Sequence, residues 1–166
     1  SIIIPSFDRF DYLLNAVESV LSQDYKNFEI IIVNDASQQK EYYEYNLPKK
    51  VKKIDLDIGL KHKYGFPTDA VRNEGARISQ GKYLAFLDDD DIWLPSKLSI
   101  QVESLESKKH KLSSTEGYFG EGVFNPDIKY PLYNKEKFYK KIKKRYKSTP
   151  FHRNFHYPEI WNLDFI

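Results

Sequence analysis

Asp88, Asp89, Asp90 and Asp91 follow directly on the apolar run Tyr83-Leu84-Ala85-Phe86-Leu87, so four carboxylates stand where a buried strand is expected to end. Like charges a few ångströms apart repel unless protons are retained or a cation sits among them. A divalent cation is the simplest remedy, and oxygen-only donors suit magnesium, manganese or calcium rather than zinc or copper. A cation held by one or two carboxylates takes its other ligands from water and phosphate, so a phosphorylated substrate is expected. The plain alternative is a solvated acidic loop leading into a helix. The apolar strand in front of the run favours a site. Two more aspartates, Asp8 and Asp35, also stand just after apolar strand-like segments.

The elements that must position these groups alternate. Ile2-Ile3-Ile4 is a β-branched run that Pro5, unable to donate in a central ladder, is expected to end. Leu13, Leu14, Val17, Val20 and Leu21 recur at helical spacing, with Asp8 and Asp11 placed to cap or charge-stabilise the helix start. Phe28 to Val33 predicts a strand buried on both faces, closed by the turn formers Asn34-Asp35-Ala36-Ser37. A strand at Val51 to Leu56, a loop through Gly59 and Gly65, and a helix from Thr68 to Ile78 follow. Gly75 in that helix predicts close packing, and Gly81 is expected to close it. Pro95 suits the first turn of the last helix, whose stripe is Leu98, Val102 and Leu105. Strand and helix in alternation predict an α/β fold with a mostly parallel sheet, whose ligands sit at the carboxyl ends of the strands. Asp8, Asp35 and the aspartate run would then converge on one crevice.

Four blocks in order resemble family 2 glycosyltransferases of the GT-A fold, a Rossmann-like sheet flanked by helices. They are Ser1-Ile-Ile-Ile-Pro-Ser-Phe-Asp-Arg with Ala16-Val-Glu-Ser-Val-Leu-Ser-Gln-Asp-Tyr, Phe28-Glu-Ile-Ile-Ile-Val-Asn-Asp-Ala-Ser, Val71-Arg-Asn-Glu-Gly-Ala, and Gly81-Lys-Tyr-Leu-Ala-Phe-Leu-Asp-Asp-Asp-Asp-Ile-Trp-Leu-Pro. The resemblance covers residues 1–107, the expected nucleotide-sugar-binding subdomain, and fades over 108–166, the expected start of an acceptor-side region in the same continuous domain. It implies an inverting, metal-dependent transfer of a hexosyl group from a nucleoside-diphosphate sugar to an acceptor hydroxyl, with UDP favoured by family frequency.

Carried over by residue, the resemblance puts Pro5, Ser6 and Asp8 beside the nucleoside and Asp35 on the base. Arg72 would approach the diphosphate, where a planar guanidinium matches phosphate oxygens; the alternative is an ordinary helix-surface arginine. Asp88 would face ribose or metal, and Asp90 would ligate the metal, Mn2+ or Mg2+. Asp89, counted with the donor site, and Asp91 would orient, cap or share the ion. Trp93 is expected to pack. Asp8, Asn34 and Ala36 stand where the family more often has asparagine, aspartate and glycine, and the stretch Gly59–Arg72, with Lys61, His62, Lys63 and Tyr64, is longer than usual. The resemblance also implies a carboxylate general base, which Glu159 and Asp164 do not match in context; it is expected beyond Ile166.

In the last third, Gly117, Gly120, Gly122, Pro126 and Pro131 mark loops before the basic, aromatic run Lys135–Lys147. That run reads as an amphipathic helix whose cationic face would meet anionic lipid or glycan, with a solvated helix as the plain alternative. His152 and His156 lack a third ligand and are read as structural. Lys and Arg total 26 against 24 Asp and Glu, a balance of 26 − 24 = +2 that makes no case for nucleic acid. Cysteine is absent, which excludes disulfides and cysteine-ligated zinc. No apolar run approaches the ~20 residues of a membrane span, and no signal peptide opens the chain. A cytoplasmic protein, peripheral to the membrane at most, is expected. The chain has no methionine and both begins and ends on apolar segments, so truncated boundaries are expected. Two other classes stay open: a nucleotidyltransferase making nucleotide-sugars, although its glycine-rich loop after strand one is missing, and a non-catalytic nucleotide- or sugar-binding module.

Overall fold

The computed structural model describes residues 1–60, 67–115, 117–132, 134, 136 and 140. The expectations for Lys61 to Gly65, for Lys135–Lys147 apart from Glu136 and Lys140, and for His152, His156, Glu159 and Asp164 lie outside the described residues. Two compact units are formed, Ser1–Ser99 and Ile100–Ile166.

The first unit is built on strands β1 (Ile2–Ser6), β2 (Ile30–Asn34), β3 (Val51–Asp55) and β4 (Ala85–Phe86), and helices α1 (Phe10–Leu21), α2 (Glu41–Glu44) and α3 (Pro67–Ile78); α4 (Lys97–Lys108) starts at its end. The sheet order is β3-β2-β1-β4 and every pairing is parallel, with Ile2 opposite Ile30 and Ala85, and Ile30 opposite Val51. Alternation along β1 and β2 divides the core. Ile2, Ile4, Ile30 and Ile32 pack with Leu13, Val17 and Val20 of α1 and with Tyr42, Trp93 and Leu98. Ile3, Ile31 and Val33 pack on the other face with Val71 of α3. Both central strands are therefore apolar at every position up to their last residues, as helices on both faces require. Gly75 lets α3 approach closely, because a Cβ there would lie 2.6 Å from Ile3 Cγ2 and 3.1 Å from Val33 Cγ2.

Several expected boundaries move. β1 does not stop at Pro5 but runs on to Ser6, with Pro5 opposite Val33. Even-numbered residues of β1 bond toward β2, as in Ile2 N–H to Glu29 O and Asp35 N–H to Ser6 O, and odd-numbered ones toward β4, as in Leu87 N–H to Ile3 O. The missing N–H of Pro5 thus faces β4, where the ladder has already ended, and costs nothing. β4 itself is an edge strand of two residues, and Leu84 and Phe86 are about half exposed rather than buried, because among the described residues it pairs only with β1. Asp8 does not cap α1, whose N-cap residue is Arg9 and makes no side-chain cap, although Asp11 does sit in the first turn. Gly81 stands beyond the end of α3 without the left-handed backbone of a helix cap; its lack of a Cβ instead admits Ser1, whose Oγ would be 2.7 Å from that atom. Pro95 lies in the turn ahead of α4, where Lys97 N–H bonds Leu94 O at 3.1 Å.

The segment after the aspartates is fastened to the end of α1. Trp93 N–H donates to Ser19 Oγ at 3.1 Å, Gln23 Nε2 to Leu94 O at 2.7 Å, and Leu98 N–H to Gln23 Oε1 at 3.0 Å. Asp24 N–H reaches Pro95 O at 2.9 Å, and Ser99 Oγ donates to Asp24 Oδ2 at 2.9 Å. Trp93 packs in the core, as expected, with Lys97 Nζ 4.7 Å from its ring centre. In the second unit Tyr118 and Leu132 form an antiparallel bridge, and the rings of Phe124 and Tyr130 stack at 5.6 Å. No helix among the described residues is long and apolar enough to cross a membrane.

Candidate functional site

The chain steps outward from β1 to β2 to β3 and then returns to the other side of β1 as β4. By the general rule for open parallel sheets, this reversal marks the carboxyl ends of β1 and β4 as the crevice where ligands bind. Ser6 is the last residue of β1 and Asp88 to Asp91 follow β4, so both lip segments of the crevice are polar.

Ser6 Oγ spans the gap, donating to Asp89 Oδ2 at 2.7 Å. With its single proton so used, Ser6 accepts from the Tyr42 hydroxyl in a short contact, and Tyr42 in turn accepts from Arg9 N–H at 3.1 Å. The Arg9 guanidinium closes the ring, placing Nη2 2.5 Å from Asp89 Oδ1 and Nη1 2.6 Å from Asp90 Oδ2. Ser6, Tyr42 and Asp89 are all buried. Burial pushes the Asp89 carboxyl above the usual range, opposed by the Ser6 hydrogen bond and the Arg9 charge. Burial likewise raises the Tyr42 phenol. Asp91 is raised by partial burial and by the charges of Asp90 and Asp88. Arg9 is raised: partial burial works against its charge, but Asp89 and Asp90 outweigh it.

Arg72, on α3, forms an ion pair with Asp88 and lies 3.4 Å from Asp69. Ser6, Arg72, Asp88, Asp89 and Asp90 are therefore gathered at the crevice. Asp8 and Asp35 flank it and hold its loops. Asp8 has a left-handed backbone, φ 49°, and its Oδ1 accepts from Gln38 N–H at 2.6 Å and Gln39 N–H at 3.1 Å. Its own N–H donates to Ser37 Oγ at 3.0 Å. Asp35 is buried and its Oδ1 accepts from Leu60 N–H at 2.6 Å. Asn34 does a joining job at the end of β2, donating to Asp55 Oδ1 at 2.8 Å and accepting from Ser37 N–H at 3.0 Å. Ala36 takes φ 59°, a conformation that favours glycine. Pro5 is buried within β1 and contributes backbone.

Arg9 and Tyr42 are the residues that motif reading missed. Arg9 had a signal, since four clustered aspartates need nearby positive charge and it is the cation adjoining the first strand's loop. Tyr42 had none: it stands beside Tyr43 and Tyr45 in a polar stretch, and only burial tells them apart.

Among the described residues, no three His, Asp or Glu side chains are arranged to hold a cation by themselves. Asp88 and Asp90 are each partly exposed and offer carboxylate oxygen alone. Such a pair fits magnesium or manganese arriving with a phosphorylated ligand that completes the shell, and does not fit an all-protein cage.

The glycosyl transferase family 2 model matches residues 1–158. The chain is 36% identical over 115 residues to an uncharacterized glycosyltransferase of Rickettsia bellii, covering 69% of this chain and 16% of that protein. It is 36% identical over 137 residues to the UDP-Glc:alpha-D-GlcNAc-diphosphoundecaprenol beta-1,3-glucosyltransferase WfaP of Escherichia coli, covering 78% of this chain and 53% of that one. The chain thus spans about half or less of these relatives. Among solved structures it is similar to S. aureus TarS 1-349 in complex with UDP-GlcNAc, at TM-score 0.58 and 23% identity over 75% of this chain and 36% of that one, a likeness of fold.

Proposed function

The chain belongs to glycosyl transferase family 2 and has the GT-A fold, and from that premise we propose that residues 1–107 are the donor-binding part of an inverting, metal-dependent hexosyltransferase using a nucleoside-diphosphate sugar. The observation that carries this reading is the meeting of Arg72, Ser6 and Asp88 to Asp90 at the switch point of the sheet. Uridine is the favoured base. WfaP's name specifies UDP-Glc, and TarS is known in complexes with UDP and UDP-GlcNAc, which supports that choice.

In the proposed reaction an acceptor oxygen bonds to the anomeric carbon as the bond to the diphosphate breaks, and the electron pair leaves on the phosphate oxygen. Charge builds on that oxygen while the sugar gains oxocarbenium character. Arg72 turns from Asp88 toward the diphosphate and offsets this charge with a planar fork of donors. A bound Mn2+ or Mg2+, held through Asp90 and Asp88, would add Lewis-acid stabilisation of the same leaving group. Pro5, Ser6 and Asp8 border the nucleoside, and Asp35 orders the Leu60 backbone at the base edge. Asp89 orients Ser6 and the loop. The acceptor's proton passes to a carboxylate general base. We further propose a cytoplasmic protein whose basic run Lys135–Lys147 meets anionic lipid.

Calorimetric titration with UDP and GDP, with and without manganese, on the wild type and Asp90→Ala tests the reading. Manganese-dependent binding of UDP that disappears in Asp90→Ala is expected. Equal binding by the variant, or none by either protein, overturns the assignment of the aspartate cluster.

A further inference from the structure

Arg9 touches two carboxylates that differ in what they need from it. Its Nη2 lies 2.5 Å from Asp89, whose side chain is 1% exposed, and its Nη1 lies 2.6 Å from Asp90, whose side chain is 46% exposed. A buried carboxylate without a counter-charge is costly, so the Asp89 limb is bound up with folding. Water already solvates Asp90, so an exposed pair there contributes little and can be exchanged. The base of the side chain is fixed, because Arg9 N–H is tied to the Tyr42 hydroxyl and Leu13 N–H to Arg9 O at 3.0 Å. The guanidinium is therefore held against Asp90 whether or not Asp90 gains from it.

We propose that Arg9 is a built-in counterion that competes with the divalent cation for Asp90, so that cation binding is weak without nucleotide and strong with it. The inference rests on the donor-site reading above, in which Asp90 is a metal ligand. A cation approaching Asp90 alone must displace Nη1 and meets a fixed positive charge that Asp89 keeps in place. A diphosphate arriving with it adds negative charge, cancels that repulsion and supplies further oxygen ligands. The coupling is reciprocal, so Arg9 also makes nucleotide binding depend on the cation. It is a positioning residue acting through Asp90.

The test measures free Mn2+ by electron paramagnetic resonance, with and without saturating UDP, in the full chain and in Arg9→Lys. An ammonium is a point charge that can remain on Asp89 but cannot fork to Asp90 as well. Arg9→Lys is expected to bind Mn2+ about tenfold more tightly in the absence of UDP, while the UDP-bound affinity stays within about twofold, so the coupling falls by the same factor. Damage to the fold would weaken Mn2+ binding, not tighten it. Should Arg9→Lys unfold, the double variant Arg9→Gln/Asp89→Asn removes the guanidinium together with the buried charge that needs it, and the same tightening is expected. Unchanged or weaker nucleotide-free affinity in the folded variant, with wild-type binding still dependent on UDP and Asp90, overturns the role of Arg9 and leaves the donor site standing. No Mn2+ binding by any form with UDP or GDP overturns both.

Discussion

Tyr42 illustrates how much a single hydroxyl can organise. It is buried, its ring meets Phe10 edge-on at 5.2 Å, and its oxygen links Arg9 N–H to Ser6, which holds Asp89. Replacing it with phenylalanine keeps the ring and strands two groups: Arg9 N–H loses its acceptor, and Ser6 loses the donor on its lone pair. Tyr42→Phe is expected to lose about 1–3 kcal/mol of stability, read as a lower urea midpoint with unchanged slope. An unchanged midpoint would mean that water takes over the hydroxyl's bonds. Aspartate chemistry at this scale was open to sequence reading because Asp88 to Asp91 are contiguous. Their contacts were not, since Ser6, Arg9 and Tyr42 lie far away along the chain and meet the run only through the sheet.

At the scale of elements, the end of α1 governs where the aspartate loop goes. Gln23 is fully buried, and its amide donates to Leu94 O and Ser19 O while accepting from Leu98 N–H, one of the unpaired donors in the first turn of α4. Gln23→Ala is expected to cost about 2 kcal/mol, because the buried Leu98 N–H and the part-buried Leu94 carbonyl lose their partners together. The denaturant midpoint reads this, and a loss below about 0.5 kcal/mol would show that the loop is held by its other bonds. The stretch Ser22-Gln23-Asp24-Tyr25 was recognisable as part of a family block without its role being legible. The pattern marks α1 as amphipathic and cannot say which later segment its end will grip.

For the whole molecule, charge placement makes stability depend on pH in two opposing ways. Glu29 accepts from Lys52 Nζ at 2.7 Å, Ser1 Oγ at 2.6 Å and Gln80 N–H at 2.7 Å, joining three elements at the amino end of the sheet. The Lys52 bond first, then that from Ser1, lower its pKa to about 2 from 4.5. A folded pKa below the unfolded one gives stability that is complete above about pH 4.5 and is lost as pH falls toward about 2. Asp89 has the reverse sign: its raised pKa means the folded state binds the proton more readily, so this group favours folding as pH falls through its range. Thermal melts of the wild type and Glu29→Gln across that interval are expected to converge toward its acid end, with the wild type ahead only above it. Curves that stay parallel would assign the Glu29 contacts no part in acid unfolding.

The local pattern determined the α/β class, the parallel sheet, the family and the carboxylate-bearing strand end, because apolar periodicity and strand-end motifs are written over neighbouring residues. It also foresaw the close packing at Gly75 and the buried Trp93. It could not tell that β1 continues through Pro5, since that depends on which neighbour faces the missing N–H. Nor could it show that β4 is a half-exposed edge, which follows from sheet order rather than from the run's own hydrophobicity. The pairing of the aspartates with Arg9 and Arg72 was decided by tertiary structure alone. Repulsion within the run demands counter-charge, but which cations arrive is set by strand order, and that order is a property of the folded sheet.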